Sequence, residues 1–211
     1  MTKVHLVTGA GSGIGADLAA RLEARGDRVI RVTRAEVDLA DVLAVRAWAE
    51  AFDEPRLDSL LHVAGTVDLF RVADLDVDGW TRQVAVNLTA PAVLTAGLLP
   101  ALRAAAGTVV FVNSSAGLNT GADWSAYSAS KFGLRALADA LRAEEAEHGV
   151  RVTTIFPSRT ATPMQEKVHE QEGEVYDASR WIQPGTVSEA ILGVLDLPPD
   201  ATVPDLTIRP R

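Results

Sequence analysis

Val4-His5-Leu6-Val7-Thr8-Gly9-Ala10-Gly11-Ser12-Gly13-Ile14-Gly15 is an apolar run that breaks into four glycines within seven residues. The run Val4–Thr8 reads as a buried first strand, and Ile14–Arg25 as the helix that follows. Glycine costs conformational entropy wherever it is used, so a plain turn has little need of four. A pyrophosphate does need them. Glycines admit close backbone approach, and a helix N-terminus offers free N–H groups and a favourable dipole. The literal G-x-G-x-x-G is absent, because Ile14 stands at its last position. What stands is Gly9-x-x-x-Gly13-x-Gly15, with Ser12 and Ile14 between the glycines. On this stretch alone an ordinary strand-to-helix turn remains the alternative.

Outward from that turn, short β-branched runs alternate with longer helical patterns. The strands are expected at Val4–Thr8, Arg28–Thr33, Ser59–Val63, Thr108–Asn113, Arg151–Phe156 and Asp205–Ile208. The helices are expected at Ile14–Arg25, Val42–Phe52, Trp80–Arg103, Ala126–His148 and Val187–Leu195. Such alternation predicts an α/β fold: a Rossmann-like, doubly wound parallel sheet with helices on both faces, in one domain spanning residues 1–211. Only Ala35-Glu36-Val37 separates the second strand from a possible short strand at Asp38-Leu39, so that corner is abbreviated. Residues 157–184 are polar with weak periodicity and read as a substrate lid or mobile loop.

The chain has 211 residues, 47 % of them apolar, enough for one sizeable core. It contains no cysteine, which excludes a disulfide scaffold, a thiolate metal site and a cysteine nucleophile. Four histidines without ligand spacing give no reason to expect a metal. A net charge of −8 and a pI near 5.0, with no Lys/Arg cluster, argue against nucleic acid. The first residues are too short in their apolar part for a signal peptide, and Ala92–Leu102 is too short to span a bilayer. A cytoplasmic location with no membrane partner is therefore expected.

A second constellation is Ser114, Tyr127 and Lys131. Ser114 falls at the carboxyl end of an expected strand, where open α/β sheets bind ligands. Tyr127 and Lys131 are four apart on an expected helix and share a face. A free tyrosine is a poor base at neutral pH, and a nearby ammonium favours the phenolate. Read as residues alone, Tyr127 and Lys131 fit a solvated surface pair better than a site, and Ser114 could be a strand-end polar group bonding nearby backbone.

Together these motifs resemble the short-chain dehydrogenase/reductase family. Thr8-Gly9-Ala10-Gly11-Ser12-Gly13-Ile14-Gly15 matches its T-G-x-x-x-G-x-G, and Tyr127-Ser128-Ala129-Ser130-Lys131 matches its Y-x-A-S-K. Ser114 precedes Tyr127 by the family's usual gap, within Asn113-Ser114-Ser115-Ala116-Gly117, and Val86-Asn87-Leu88 looks like its V-N-L. The resemblance runs in order along nearly the whole chain. It implies that Tyr127 is the general acid in reduction and base in oxidation. Lys131 would lower the Tyr127 pKa and contact the nicotinamide ribose. Ser114 would bond the substrate oxygen, and Asn87 would hold a water leading to Lys131. It also implies a homodimer or homotetramer formed through the helices at Trp80–Arg103 and Ala126–His148, with Ala136, Ala138, Ala140 and Ala143 allowing close approach.

The chain departs from the family where N-N-A-G is replaced by His62-Val63-Ala64-Gly65, with His62 read as a structural substitute. It departs again where P-G is replaced by Pro157-Ser158. The resemblance places Ala64, Gly65, Pro157 and Thr162 around the cofactor, with Thr162 at the carboxamide. NAD-binding relatives carry an acid where Thr33 stands here, and Arg34 follows it, so NADP(H) is the expected cofactor, with NAD(H) possible. Asp38 and Leu39 would border the adenine. Ala116, Trp124, Met164 and Trp181 would line the pocket for a small carbonyl or alcohol substrate. Two readings stay beside the oxidoreductase: a regulatory protein that binds NADP(H) without turnover, and a non-redox isomerase or lyase on the same fold.

Overall fold

The computed structural model describes residues 2–211. Six parallel strands form one sheet in the order β2-β1-β3-β4-β5-β6: β1 (Val4–Thr8), β2 (Arg28–Val32), β3 (Ser59–His62), β4 (Thr108–Val112), β5 (Arg151–Pro157) and β6 (Asp205–Ile208). Consecutive residues in each central strand point to opposite faces. Leu6, Leu60 and Val109 therefore enter one core, and Val7, Leu61 and Val110 the other. The first core is closed by α2 (Val42–Glu50), α4 (Ala90–Ala105) and α5 (Ser125–Glu145). The second is closed by α1 (Gly13–Ala24) and α7 (Pro184–Leu195). This is the doubly wound single domain expected from the alternation.

Four expectations need correction. Asp38-Leu39 forms no strand. The Asp38 side chain accepts from the Ala40 backbone N–H and its carbonyl from that of Asp41, so the segment turns, while Val37 is buried in the first core. Trp80–Arg103 is not one regular helix. It divides into α3 (Val77–Val84), a π-turn (Ala85–Thr89) and α4. Residues 157–184 are not structureless: they hold α6 (Pro163–Glu172) and a short turn of 3₁₀ helix at Ala178–Arg180. Pro163 at the start of α6 and Gly173 in a left-handed conformation at its end are ordinary helix punctuation. Finally, Ala138 lies in the core, so the alanines of α5 do not share one outward face; Ala136, Ala140 and Ala143 are exposed.

The run Val77–Ala105 is long and apolar enough by composition to cross a bilayer. Leu94, Leu98 and Leu102 are fully buried against the sheet, so its apolar side is already covered by protein. His62 is buried and stacked on Phe111 at 4.9 Å between ring centres, with Nε2 bonded to Thr95 Oγ1 at 2.9 Å. Burial lowers its pKa to about 3, which keeps it neutral and fits the structural role read from the sequence.

Candidate active site

In an open α/β sheet the ligand crevice lies at the carboxyl ends of the strands, where the strand order reverses. Here that point lies between β1 and β3. A cavity of about 720 Å³ opens there. Every residue assigned above to the cofactor lines it, as do Ser114, Ala116, Trp124 and Met164. Asn87 and Trp181 do not.

The glycine turn is tight for reasons the geometry makes plain. Gly9 has φ +69, and a Cβ there would sit 2.8 Å from the Ala64 Cα. A Cβ on Gly15 would overlap the Gly9 carbonyl. Ser12, at the N-cap of α1, makes no side-chain capping bond, and no acidic residue stands in the first turn. Free N–H groups and an unopposed helix dipole at the cavity wall suit an anion of the pyrophosphate type.

At the end of β2, Thr33 lines the cavity and Arg34 is exposed with no ion-pair partner among the described residues. Sequence reasoning missed Glu36. Its Oε2 accepts from the Thr33 backbone N–H at 2.8 Å and from Thr33 Oγ1 at 2.5 Å. Those bonds hold the Glu36 carboxyl below its ordinary pKa and put a negative charge beside the expected ribose position. The signal was a Thr-x-x-Glu spacing, the pattern of a capping box with no regular helix behind it.

The reacting end is built by α5 and the loop after β4. Tyr127 and Lys131 are buried on the face of α5 that meets the cavity. Ser114 lies near enough to the Tyr127 hydroxyl to favour its ionised form, and its Oγ accepts from the Ala116 N–H at 3.1 Å. Lys131 Nζ donates to the Val112 carbonyl at 3.0 Å and lies 5.7 Å from the centre of the Tyr127 ring. Burial pushes Tyr127 up to about 12, with nearby Ser114 pulling the other way. Burial brings Lys131 down to about 8. The direction for Tyr127 is opposite to the expectation that Lys131 would lower it. The ammonium is engaged by a carbonyl and set back from the phenol, so desolvation outweighs its attraction.

Asn87 acts one layer behind. It sits in the π-turn, a type of irregularity often found at functional sites. Its Oδ1 accepts from the Thr66 N–H at 2.8 Å, and its Nδ2 donates to the Thr66 carbonyl at 2.9 Å and Ser130 Oγ at 3.0 Å. Ser130 Oγ donates in turn to the Tyr127 carbonyl at 2.7 Å. The Asn87 side chain is thus a clamp between the β3 loop and α5, and makes no direct hydrogen bond to Lys131. Asn113 does the same from β4: its Nδ2 donates to the Lys131 carbonyl at 2.9 Å and its Oδ1 accepts from the Ser114 N–H at 2.8 Å.

Trp181, expected in the pocket, packs behind it instead. Its ring lies between the guanidinium groups of Arg159 and Arg180 and meets His169 edge-on at 5.3 Å. Arg159 and Arg82 line the cavity without having been anticipated. Met164, Gln165 and Val168 of α6 cover it from above. Among the described residues no cluster of three potential metal ligands occurs.

A family profile described as short chain dehydrogenase matches residues 37–173. An oxidoreductase of Staphylococcus saprophyticus is 28 % identical over 99 % of this chain and 97 % of its own. The oxidoreductase YciK of Escherichia coli is 32 % identical over 77 % of this chain and 75 % of its own. Among solved structures, a short chain dehydrogenase from Escherichia coli CFT073 complexed with NADPH superposes with a TM-score of 0.87 at 27 % identity. It covers 97 % of this chain and 95 % of that one.

Proposed function

The chain belongs to the short-chain dehydrogenase family of NAD(P)-dependent oxidoreductases, and on that premise we propose that it moves a hydride between a nicotinamide and a carbonyl/alcohol pair, with Ser114, Tyr127 and Lys131 handling the substrate oxygen. The observation that carries this reading is the convergence of Ser114, Tyr127 and Lys131 on one cavity wall, with Lys131 Nζ 5.7 Å from the centre of the Tyr127 ring. The glycine cradle and the uncapped start of α1 fit a dinucleotide, with Gly9, Ser12, Gly13, Ile14 and Gly15 around its pyrophosphate. Ala64, Gly65, Pro157 and Thr162 would border the nicotinamide half. Bound there, the reduced nicotinamide supplies the hydride.

This chain's own residues manage the proton. A phenol with its pKa near 12 is protonated at any physiological pH and so enters reduction as an acid. As hydride reaches the carbonyl carbon, the Tyr127 Oη–H bond breaks and its proton goes to the carbonyl oxygen. The Ser114 hydroxyl steadies the charge that develops there. Lys131, a cation below about pH 8, steadies the phenolate left behind. Asn87 and Asn113 hold α5 in register so that these groups converge.

NADP(H) is the proposed preference, with NAD(H) usable. Arg34 is free to pair with a 2′-phosphate in forked geometry. Glu36 opposes that phosphate. Arg34→Ala should therefore weaken NADPH binding more than NADH binding, and Glu36→Gln should strengthen NADPH. Fluorescence titration with both cofactors checks this, and unmoved affinities would end the assignment. We propose a cytoplasmic homodimer or homotetramer, the assembly being favoured by the exposed Phe132 and alanines of α5.

The deciding experiment is steady-state NADPH oxidation against a panel of ketones and aldehydes, with Tyr127→Phe beside the wild type. The variant should lose roughly a hundredfold or more in kcat, as removal of a positioned acid does, and still bind NADPH. Retained turnover would refute the proton-donor role.

A further inference from the structure

Resting on the carbonyl-reductase reading, we propose that Arg159 is a substrate-orienting cation, and that the carbonyl substrate carries a carboxylate on the side away from the reacting carbon. Arg159 lies two residues beyond β5 and lines the cavity beside Trp124, Tyr127 and Met164. Its guanidinium is held from three sides. The centre of the Trp124 ring is 6.0 Å away and that of Trp181 5.5 Å away. Glu172, the last residue of α6, accepts from Nη1 at 2.7 Å and from Nη2 at 2.6 Å.

That pairing is end-on. It leaves the Nε edge with no partner among the described residues, on a side chain that remains 32 % exposed. An arginine fork fixed by a two-point carboxylate pair and close to two indoles is preorganised, so binding at its free edge costs little further ordering. Glu172 and the nearby Glu174 already offset much of its charge, so an anion would have to take the free Nε edge; the cavity wall itself adds little opposing charge. The sole acidic lining residue among those described is Asp38, which lies with Arg34 at the β2 side, at the other end of the sheet order from β5.

The geometry also limits the body of the substrate. The Trp124 ring is 5.7 Å from the Tyr127 ring and 6.0 Å from the Arg159 guanidinium. Both groups neighbour the same indole, so a ketone at Tyr127 and a carboxylate at Arg159 would be joined by a short spacer. Val67, Val168, Ala116 and Met164 make the intervening wall apolar. These features describe an oxo acid with a short aliphatic or aromatic spacer. Glu172 then has a definable part: it competes with the substrate for the guanidinium and keeps the charge from binding anions indiscriminately.

The test compares para-formylbenzoate with its methyl ester under NADPH oxidation, and benzoate with benzamide as ligands of the protein–NADPH complex by tryptophan fluorescence. Wild type should favour the carboxylate member of each pair by roughly ten- to a hundredfold, the range expected for a charged hydrogen bond. Arg159→Leu should abolish that preference, chiefly through KM of the carboxylate. Glu172→Gln leaves the arginine in place and should enlarge it, which keeps the idea testable if the leucine variant folds badly. Equal handling of both members by wild type, or a preference that survives in Arg159→Leu, overturns the proposal while leaving hydride transfer intact. Benzoate binding that needs Arg159, without reduction of either aldehyde, would support the carboxylate subsite and count against the carbonyl-reductase reading.

Discussion

Lys131 is a lysine in a setting that resists its charge. Burial lowers its pKa from 10.5 to about 8, so the folded protein holds that proton less firmly than the unfolded chain does. Between those values the unfolded state binds more protons, and stability rises with pH across the window. Below it the buried ammonium costs on the order of 3 kcal/mol, and the bond to Val112 offsets about 1 kcal/mol. Lys131→Met should accordingly stabilise the protein by ~1–2 kcal/mol near neutral pH while abolishing turnover. Urea denaturation near pH 7 and again near pH 10.5 should show that advantage disappear at the higher value. Equal stability at both would mean the lysine is better solvated than its surroundings imply. At this scale Ser114, Tyr127 and Lys131 stood out in the sequence only through the family resemblance, because helix period alone puts Tyr127 and Lys131 on one face without saying what that face meets. Asn113, Glu36 and Arg159 did not stand out, because their parts depend on which way a side chain turns after its backbone has left a regular element. Trp181 was misplaced for the same reason.

Elements carried a clearer signal where one period dominated. All six strands and the helices α1, α2, α5 and α7 were readable to within a few residues. Helix α6 was obscure. Its sequence, Pro-Met-Gln-Glu-Lys-Val-His-Glu-Gln-Glu, has only a narrow apolar stripe, because only Gln165, Val168 and His169 of it are buried. The rest of its fastening is polar and non-local: Lys167 Nζ donates to the Val67 carbonyl at 3.0 Å and pairs with Asp68, and the Leu69 N–H donates to Gln171 at 3.2 Å. No pattern within ten residues reveals partners a hundred positions away. The glycine turn is the opposite case, a local signal with a local cause. Gly9→Ala would place a methyl against Ala64 in a left-handed backbone, at an expected cost of about 1–3 kcal/mol. A lower melting temperature together with weaker NADPH binding should result. If stability falls and NADPH affinity holds, the cradle is not where the cofactor sits.

For the molecule as a whole, sequence alternation sufficed to imply a doubly wound sheet, since runs buried on both faces leave few arrangements open. Assembly was less legible, because an exposed alanine and a core alanine look alike in one dimension, as Ala136 and Ala138 do. With Phe132 43 % exposed and Ala136, Ala140 and Ala143 outward on α5, a dimer or tetramer through that helix is the expected state. Light scattering at micromolar concentration checks it, and Phe132→Glu should shift the population towards monomer; a wild-type monomer would end the idea. The π-turn that holds Asn87 has one more bearing, on what changes of length the gene can tolerate. Each helical residue advances the chain by about 100°. Deleting a single codon within Ala85–Thr89 would turn a wide turn into a regular one and leave the faces of α3 and α4 nearly in phase, whereas the same loss inside α4 would swing everything before it by about 100°. The loss in the wide turn would fall on Asn87 instead, which would be drawn away from the Thr66 backbone groups it bonds at 2.8 and 2.9 Å. Those five positions hold slack: one residue can go there without rotating the neighbouring helices, but not without giving up the clamp.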